Sequence, residues 1–232
     1  MNSASPLLQS CFFLGNCVLL LFLALCVGAG TANGKNIVLP RTGAYTAIDT
    51  DSIISAIATL RKGEESERTI LVKDIKKNPQ NYAPPVLYQL SETLFMQGDK
   101  DDAAFWFYAG QLRARYDAQR CADKTARQAV SILNQRFGTP INQYMFTDIP
   151  KLEALIAQVV QWDRKTAHNY DHRWINLHGM GGVSAPEEGS PPELSLPENQ
   201  WANIAEENRK SYQKSFQREI RRMEQRKKLH AQ

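Results

Sequence analysis

Three of the four histidines fall within eleven residues of sequence, a concentration that could do chemistry. His168 and His172 are four apart, so a helix running through both would place them on one face, as a zinc site needs. Asp171 could orient an imidazole, as a hydrolase would require. However, Asn169 stands where the glutamate of a zinc-protease motif would follow His168. We therefore expect structural hydrogen bonding, with Arg173 paired to a carboxylate, and no metal or catalytic site.

Cysteine chemistry is limited to Cys121. Cys11, Cys17 and Cys26 lie in an apolar N-terminal segment that is expected to be cleaved off, so the mature chain would keep only Cys121, which then has no partner for an internal disulfide. A position near a helix start could lower its pKa, but no neighbour completes a nucleophile motif, and we expect a packed or half-buried structural thiol. The chain also lacks the phosphate-binding loop, the dinucleotide fingerprint and the serine-hydrolase elbow, so no cofactor is expected.

An aromatic run, Phe105–Tyr108, is followed by several arginines. Four consecutive helical residues fan through about 300°, so either this helix is packed on several sides or one ring lies on a binding surface. Mixtures of aromatic residues and arginine are typical of protein interfaces, whereas a structural role would pair Arg113 with Asp117 four residues on. The candidate residues for contact with a protein partner are Trp106, Tyr108, Arg113, Arg115 and Arg120.

The segment around this run has the pattern of two helices joined by a tight turn. Leu87 and Leu94 recur at helical spacing, and Gly98 followed by Asp99 can end one helix and cap the next. The spacing resembles the tetratricopeptide repeat and its Sel1-like relatives over residues 87–116, although Arg115 replaces the closing proline. The matching positions are Leu87, Leu90, Ser91, Leu94, Gly98, Ala103 and Phe107. The resemblance implies a helical hairpin and a binding role.

Helical periodicity on both sides of this hairpin predicts an all-α fold. The expected helices span residues 51–62, 66–77, 85–97, 99–116, 122–137 and 141–146, with a long helix after Asp148. In the second helix, Ile70, Leu71 and Ile75 are expected to face inward. Short connections favour antiparallel neighbours, so we expect stacked helical hairpins resembling an α-solenoid, preceded by a lone strand at 37–39.

The basic charge is concentrated in one part of the 232-residue chain, whose net charge is +4. Residues 201–232 contain nine basic residues (Lys and Arg) and four acidic residues (Asp and Glu). The remainder of the chain contains nineteen basic and twenty acidic residues. The body is therefore near neutral, which argues against a nucleic-acid-binding domain with a broad basic face.

The composition predicts four regions. Residues 1–32 contain an uncharged apolar run that ends in small residues, typical of a signal peptide cleaved after Ala32; a retained membrane anchor and a lipoprotein modified at Cys26 are the alternatives. A helical domain follows at 33–177. Residues 178–200 are rich in Gly, Pro, Ser and Glu and are expected to be a flexible linker.

Residues 201–232 are expected to form a basic amphipathic helix. Its apolar strip comprises Tyr212, Phe216, Ile220 and Met223. Such a helix either folds back onto the body, stays mobile, or contacts an anionic membrane surface or an acidic partner.

These features favour a non-enzymatic, protein-binding scaffold of a bacterial envelope, periplasmic or secreted. Residues 97–117 and 170–175 are similar to helical immunity proteins found beside toxins delivered between bacterial cells, and that resemblance implies docking on a toxin. The first alternative is an adaptor of an envelope complex, anchored in the inner membrane through residues 11–30. The second is a hydrolase that uses His168, Asp171 and His172. The oligomeric state is left open.

Overall fold

Seven α-helices carry the fold in the part of the chain that the structure describes. The structure is a computed structural model, and it describes residues 43–181 and 193–230. The helices are α1 (Asp51–Lys62), α2 (Glu65–Lys77), α3 (Pro84–Met96), α4 (Lys100–Arg120), α5 (Gln128–Met145), α6 (Ile149–Lys165) and α7 (Trp201–His230). Short 3-10 turns occupy Gly43–Ala47, Pro79–Asn81, Lys124–Arg127, His172–His178 and Glu198–Gln200.

The prediction of an all-α stack of helical hairpins is confirmed. Between residues 43–181 and 193–230 the only β feature is one isolated bridge, Cys121–Ser195. These residues all fall within a compact unit that spans Leu39–Gln232. None of their helices is both long and apolar enough to cross a membrane. The expected signal segment and the lone strand at 37–39 lie outside the described residues.

The α3–α4 pair is the hairpin that the leucine spacing predicts. Leu87 and Leu94 are buried on the face of α3 that meets α4, and Ser91 Oγ donates a hydrogen bond to the carbonyl of Ala103 at 2.7 Å. Gly98 adopts a φ of +91° at the turn, and Asp99 N donates back to Leu94 O at 3.0 Å. A positive φ allows this tight reversal, which is why glycine stands there.

Helix α4 is the centre of the molecule. Helices α3, α5, α6 and α7 all pack against it, and fourteen of its 21 residues are buried. Since α4 is enclosed on several sides, no single apolar stripe describes it.

The four rings of the aromatic run meet three different neighbours of α4. Phe105 and Trp106 make edge-to-face contacts with Trp162 of α6, at 5.6 and 5.7 Å between centroids. Phe107 meets Tyr88 of α3 at 5.4 Å. Tyr108 meets Phe216 of α7 at 5.4 Å. The first reading of the aromatic run, a helix packed on several sides, is therefore correct.

Helix α5 corrects two sequence expectations. It continues without a break through Gly138 and Pro140, so the predicted end at Gly138 and the separate helix at 141–146 are wrong. Phe137, Ile141 and Met145 recur every four residues and are buried, so packing holds the helix together across the proline. Gly138 stands there because a Cβ atom would lie 3.0 Å from Cζ of buried Phe107.

Helix α2 lies at the edge of the stack. It packs mainly on α1, so one face remains in solvent. Ile75 is buried as predicted, but Ile70 is 68% exposed, which overturns the expectation that it faces inward. Ile54 of α1 is likewise 59% exposed.

The described parts of the expected linker are bound to the body rather than free. Met180 N donates to Thr125 Oγ1 at 2.8 Å, which fastens the start of this segment. Leu196 N donates to Arg120 O at 2.8 Å, and Ala122 N donates to Leu194 O at 3.2 Å. These backbone hydrogen bonds correct the prediction of a flexible linker for residues 178–181 and 193–200; residues 182–192 lie outside the described residues.

Replacing Gly98 by Ala should destabilise the protein by about 1 kcal/mol, because Ala is strained at a φ of +91° although no atom crowds the site. Gly98→Asn should cost less, because Asn tolerates a left-handed backbone better. Urea unfolding followed by circular dichroism measures both values. A Gly98→Ala protein as stable as the parent would contradict this reading of the turn.

Candidate functional site

A groove of about 600 Å³ opens between α2, the first turns of α4, and α6. Its residues come from three helices and from Asp99 in the turn before α4, so their positions are fixed by the packing of the stack. They are Lys76, Asp99, Asp101, Asp102, Phe105, Trp106, Lys151, Ala154, Leu155 and Gln158. We call this feature the α2–α4–α6 groove.

Ion pairs hold the α2 side of the groove rim. Lys76 of α2 pairs with Asp102 in the first turn of α4, and its Nζ lies 3.8 Å from Oδ2 of Asp99. Carboxylates are favourable at this end of α4, where the helix dipole is positive. The Asp99 side chain is 53% exposed, so its contact with Lys76 contributes little to stability. A cation on a binding partner could replace Lys76 beside Asp99.

A second cluster holds the α6 side of the rim. Lys151 pairs with Asp101, and Tyr144 donates a hydrogen bond to Asp101 at 2.5 Å while accepting one from Lys151 at 3.0 Å. The hydrogen bonds from Lys151 and Tyr144 hold the pKa of Asp101 below its ordinary value. Asp101 is therefore ionised near neutral pH, and its side chain is 64% exposed to an incoming cation.

The floor of the groove is aromatic and apolar. Phe105 and Trp106 meet edge to face at 5.1 Å, and Leu155 of α6 lies beside them. The indole nitrogen of Trp106 is buried and has no hydrogen-bond acceptor among the described residues. Because buried donors are almost always paired, this unmatched N–H is a notable feature of the floor.

The structure buries four of the five residues predicted to contact a partner. Trp106, Tyr108, Arg113 and Arg120 are at most 4% exposed, and Arg115 is half-buried over the ring of Tyr212. The expectation of an aromatic–arginine surface is corrected, because four helices enclose α4 and use these side chains as internal contacts. Trp106 alone among the five borders the groove.

Arg113 joins three segments inside the body. Its Nε donates to Asp163 Oδ1 at 3.2 Å, and Nη1 donates to the carbonyl of Pro79 at 3.2 Å. Nη2 donates to the carbonyls of Thr166 and Ala167, each at 3.1 Å. The guanidinium also lies 4.3 Å from the ring centroid of Trp162. A fully buried charge is tolerated here because each of the three guanidinium nitrogens donates to an acceptor.

Asp163 is the acceptor shared by this network. Its Oδ1 also contacts His168 Nε2 at 3.1 Å, and its Oδ2 accepts from Arg209 Nε of α7 at 2.8 Å. Burial raises the pKa of Asp163, but His168, Arg113 and Arg209 together outweigh it, so the pKa lies below its ordinary value. Asp163 thereby ties α4, α6 and α7 together.

Asp117 anchors a second buried network one turn further along α4. Arg120 Nη2 donates to Oδ1 at 2.8 Å, Trp174 Nε1 donates to Oδ2 at 2.8 Å, and Tyr170 OH donates to Oδ1 at 3.3 Å. Burial raises the pKa of Asp117 despite these donors. The expected Arg113–Asp117 pair is therefore wrong: Arg113 pairs with Asp163 of α6, whereas Asp117 pairs with Arg120, which follows it on α4.

The histidine-rich segment does not form the arrangement that a hydrolase or zinc site needs. Helix α6 ends at Lys165, so His168 and His172 share no helix face. His168 contacts Asp163, whereas His172 Nε2 lies 2.7 Å from Ser195 Oγ. Asp171 holds Arg173, confirming the expected pairing of that arginine with a carboxylate. No cluster of three His, Cys, Asp or Glu side chains suited to a metal ion occurs among the described residues.

Cys121 is a buried structural thiol. Its Sγ lies 3.1 Å from Asn176 Oδ1 and 3.3 Å from the carbonyl of Asp123. Burial raises the pKa of the thiol to about 11, so the idea that a helix start lowers it is wrong; Cys121 stands at the C-terminal end of α4.

Comparison of the chain with protein-family models, with curated proteins and with solved structures found no match.

Sequence reasoning missed most of the groove. Sequence position alone marks Asp99 as a cap and Asp101 and Asp102 as first-turn residues of α4; the two first-turn positions are correct, but the Asp99 side chain makes no capping hydrogen bond. Lys76 and Lys151 lie far away in sequence, so their approach depends on how the helices pack. An acidic first turn directly before an aromatic run was the signal that pointed to this place.

Arg113→Met should destabilise the protein by about 3–5 kcal/mol, because it removes one cation from buried Asp163 and leaves the buried carbonyl of Pro79 without this donor. Arg115→Met, two residues further on, is the matched control and should cost less than about 1 kcal/mol, since no ion pair of Arg115 is broken. Chemical denaturation gives both values. Equal losses in the two variants would contradict the assigned role of Arg113.

Stability should decrease as the pH falls below about 6.5, because burial, together with Arg120 and Arg173, lowers the pKa of His172 to about 4. The unfolded chain then binds the proton more tightly than the folded one, so the contribution is full above pH 6.5 and is lost towards pH 4. Between pH 7 and pH 5 the parent should lose about 2 kcal/mol more than His172→Gln. Urea titrations at the two pH values measure the free energy of unfolding of both proteins. An equal decrease in the parent and in His172→Gln would refute this prediction.

Proposed function

We propose that the protein is a non-enzymatic, protein-binding scaffold of the bacterial envelope, and that the α2–α4–α6 groove receives a segment of its protein partner. The observation that carries this proposal is a groove that has an aromatic floor and an exposed rim with both acidic and basic side chains. Helices that pack in the body hold this groove in place. Interface sites commonly place a buried apolar anchor within a polar rim.

The groove favours a peptide segment with one large apolar side chain. Such a side chain would cover Phe105 and Leu155, which line the floor. A basic neighbour on the partner would meet Asp99 or Asp101, whose carboxylates are more than half exposed. A backbone carbonyl of the partner is the kind of acceptor that the buried indole N–H of Trp106 lacks.

The partners of the histidine-rich segment support a non-enzymatic function. His168, Asp171 and His172 are each held by a different group, Asp163, Arg173 and Ser195 respectively. The three side chains therefore share no substrate position of the kind that acid–base catalysis requires.

The envelope location rests on the amino-acid sequence. The uncharged apolar run at residues 11–30 is typical of export or anchoring. A toxin-neutralising immunity protein, as the resemblance of residues 97–117 and 170–175 implies, is one form that such a scaffold takes, and an adaptor of an envelope complex is another.

Photo-crosslinking from within the groove tests this proposal. A photoreactive amino acid at exposed Gln158 should yield a discrete crosslinked protein in envelope extracts. The same amino acid at Ile132 of α5, which is 57% exposed and is not part of the groove, is the matched control and should not.

Competition shows whether the crosslinked partner occupies the groove. An excess of unlabelled parent protein should abolish the crosslink, whereas Leu155→Glu protein should not, because a charge on the apolar floor disfavours the anchor. Equal products from Gln158 and Ile132, or equal competition by both competitors, would rule out this groove as the binding site.

A further inference from the structure

The C-terminal helix α7 has one face that is almost wholly basic. At about 100° per residue, Lys214, Arg218, Arg221, Arg222 and Lys228 fall within an arc of about 120°. All five side chains are exposed. The two acidic residues of this stretch, Glu219 and Glu224, fall outside that arc. We call these five residues the basic face of α7.

The opposite face of α7 fixes the helix to the body. Tyr212, Phe216, Ile220 and Met223 point to the other side of the helix and pack in the core. Tyr212 OH donates to the carbonyl of Tyr108 at 3.2 Å. These buried contacts run from Tyr212 to Met223 and turn the basic face outward over that length; from Lys214 to Lys228 the basic face is about 20 Å long.

An exposed apolar side chain lies within the same arc. Leu229, close to Lys228, is 72% exposed. A cluster of Lys and Arg that also presents a leucine suits the surface of an anionic bilayer, where the cations meet lipid phosphates and the single apolar side chain can enter the headgroup boundary. Nucleic acid and acidic peptides offer the cations a partner but offer Leu229 no apolar phase.

We propose that the basic face of α7 docks on the surface of an anionic phospholipid bilayer. The charge complementarity is local, because the rest of the chain is close to neutral and provides no broad basic surface for nucleic acid. This docking is independent of the α2–α4–α6 groove, whose residues lie on α2, α4 and α6.

Vesicle co-sedimentation tests the proposal with residues 39–232, the compact unit that contains every described element and the core. This unit leaves out the apolar run at 11–30, which would itself bind lipid. It should bind vesicles containing about one third phosphatidylglycerol far more tightly than vesicles of phosphatidylcholine alone, and binding should weaken between about 50 mM and about 500 mM salt.

A pair of charge-matched variants locates the contact. The variant K214Q/R218Q/R221Q/R222Q should bind anionic vesicles at least about fiftyfold more weakly than the parent. The control R61Q/K62Q/K73Q/K77Q removes four exposed cations from α1 and α2, so its net charge is the same, and it should bind within about threefold of the parent. Circular dichroism checks that both variants are folded.

Three results would overturn the proposal. The first is no preference for anionic vesicles. The second is an equal loss of binding in the two charge-matched variants, which would mean that net charge alone is responsible. The third is that a short RNA or an acidic peptide binds the basic face in preference to the vesicles, as shown by its displacing the protein from them at low concentration.

Discussion

The buried contact between Arg113 and Asp163 is the constraint on which the rest of the structure depends. Arg113 lies on the central helix α4, and its donors also bind carbonyls at Pro79 and after α6. Asp163 in turn receives Arg209 of α7. Neither charge can be buried alone at acceptable cost, so α4, α6 and α7 must come together for either residue to be satisfied. Helix α7 is therefore part of the body.

The helices could be predicted from the sequence more accurately than the contacts that each helix makes with other helices. Leucine spacing and the Gly98 turn identified the α3–α4 hairpin, because those signals are local. Gly138 and Pro140 were misread as a helix end, since only contact with Phe107 explains a glycine there. Arg113 and Arg115 of α4 were misread as a surface for the same reason: Asp163 lies 50 residues from Arg113, and Tyr212, whose ring Arg115 covers, is more remote still in sequence.

The two surfaces that we assign to binding differ in how far they could be predicted from the sequence. The basic face of α7 follows from helical geometry alone once the buried strip is known, and the sequence already contained that strip. The α2–α4–α6 groove depends on Lys76, Asp101 and Lys151 approaching from three helices, which no sequence spacing specifies. Both surfaces rest on the same body, and both need α4 to be held rigidly by its neighbours.

Native-state hydrogen exchange tests most directly whether the Arg113–Asp163 contact makes α4, α6 and α7 one cooperative unit. The amides of α7 between Asn208 and Ile220 should open with the same free energy as those at the centre of α4, and both values should equal the global free energy of unfolding. Exchange from α7 with an opening free energy near zero, while α4 remains fully protected, would contradict this account.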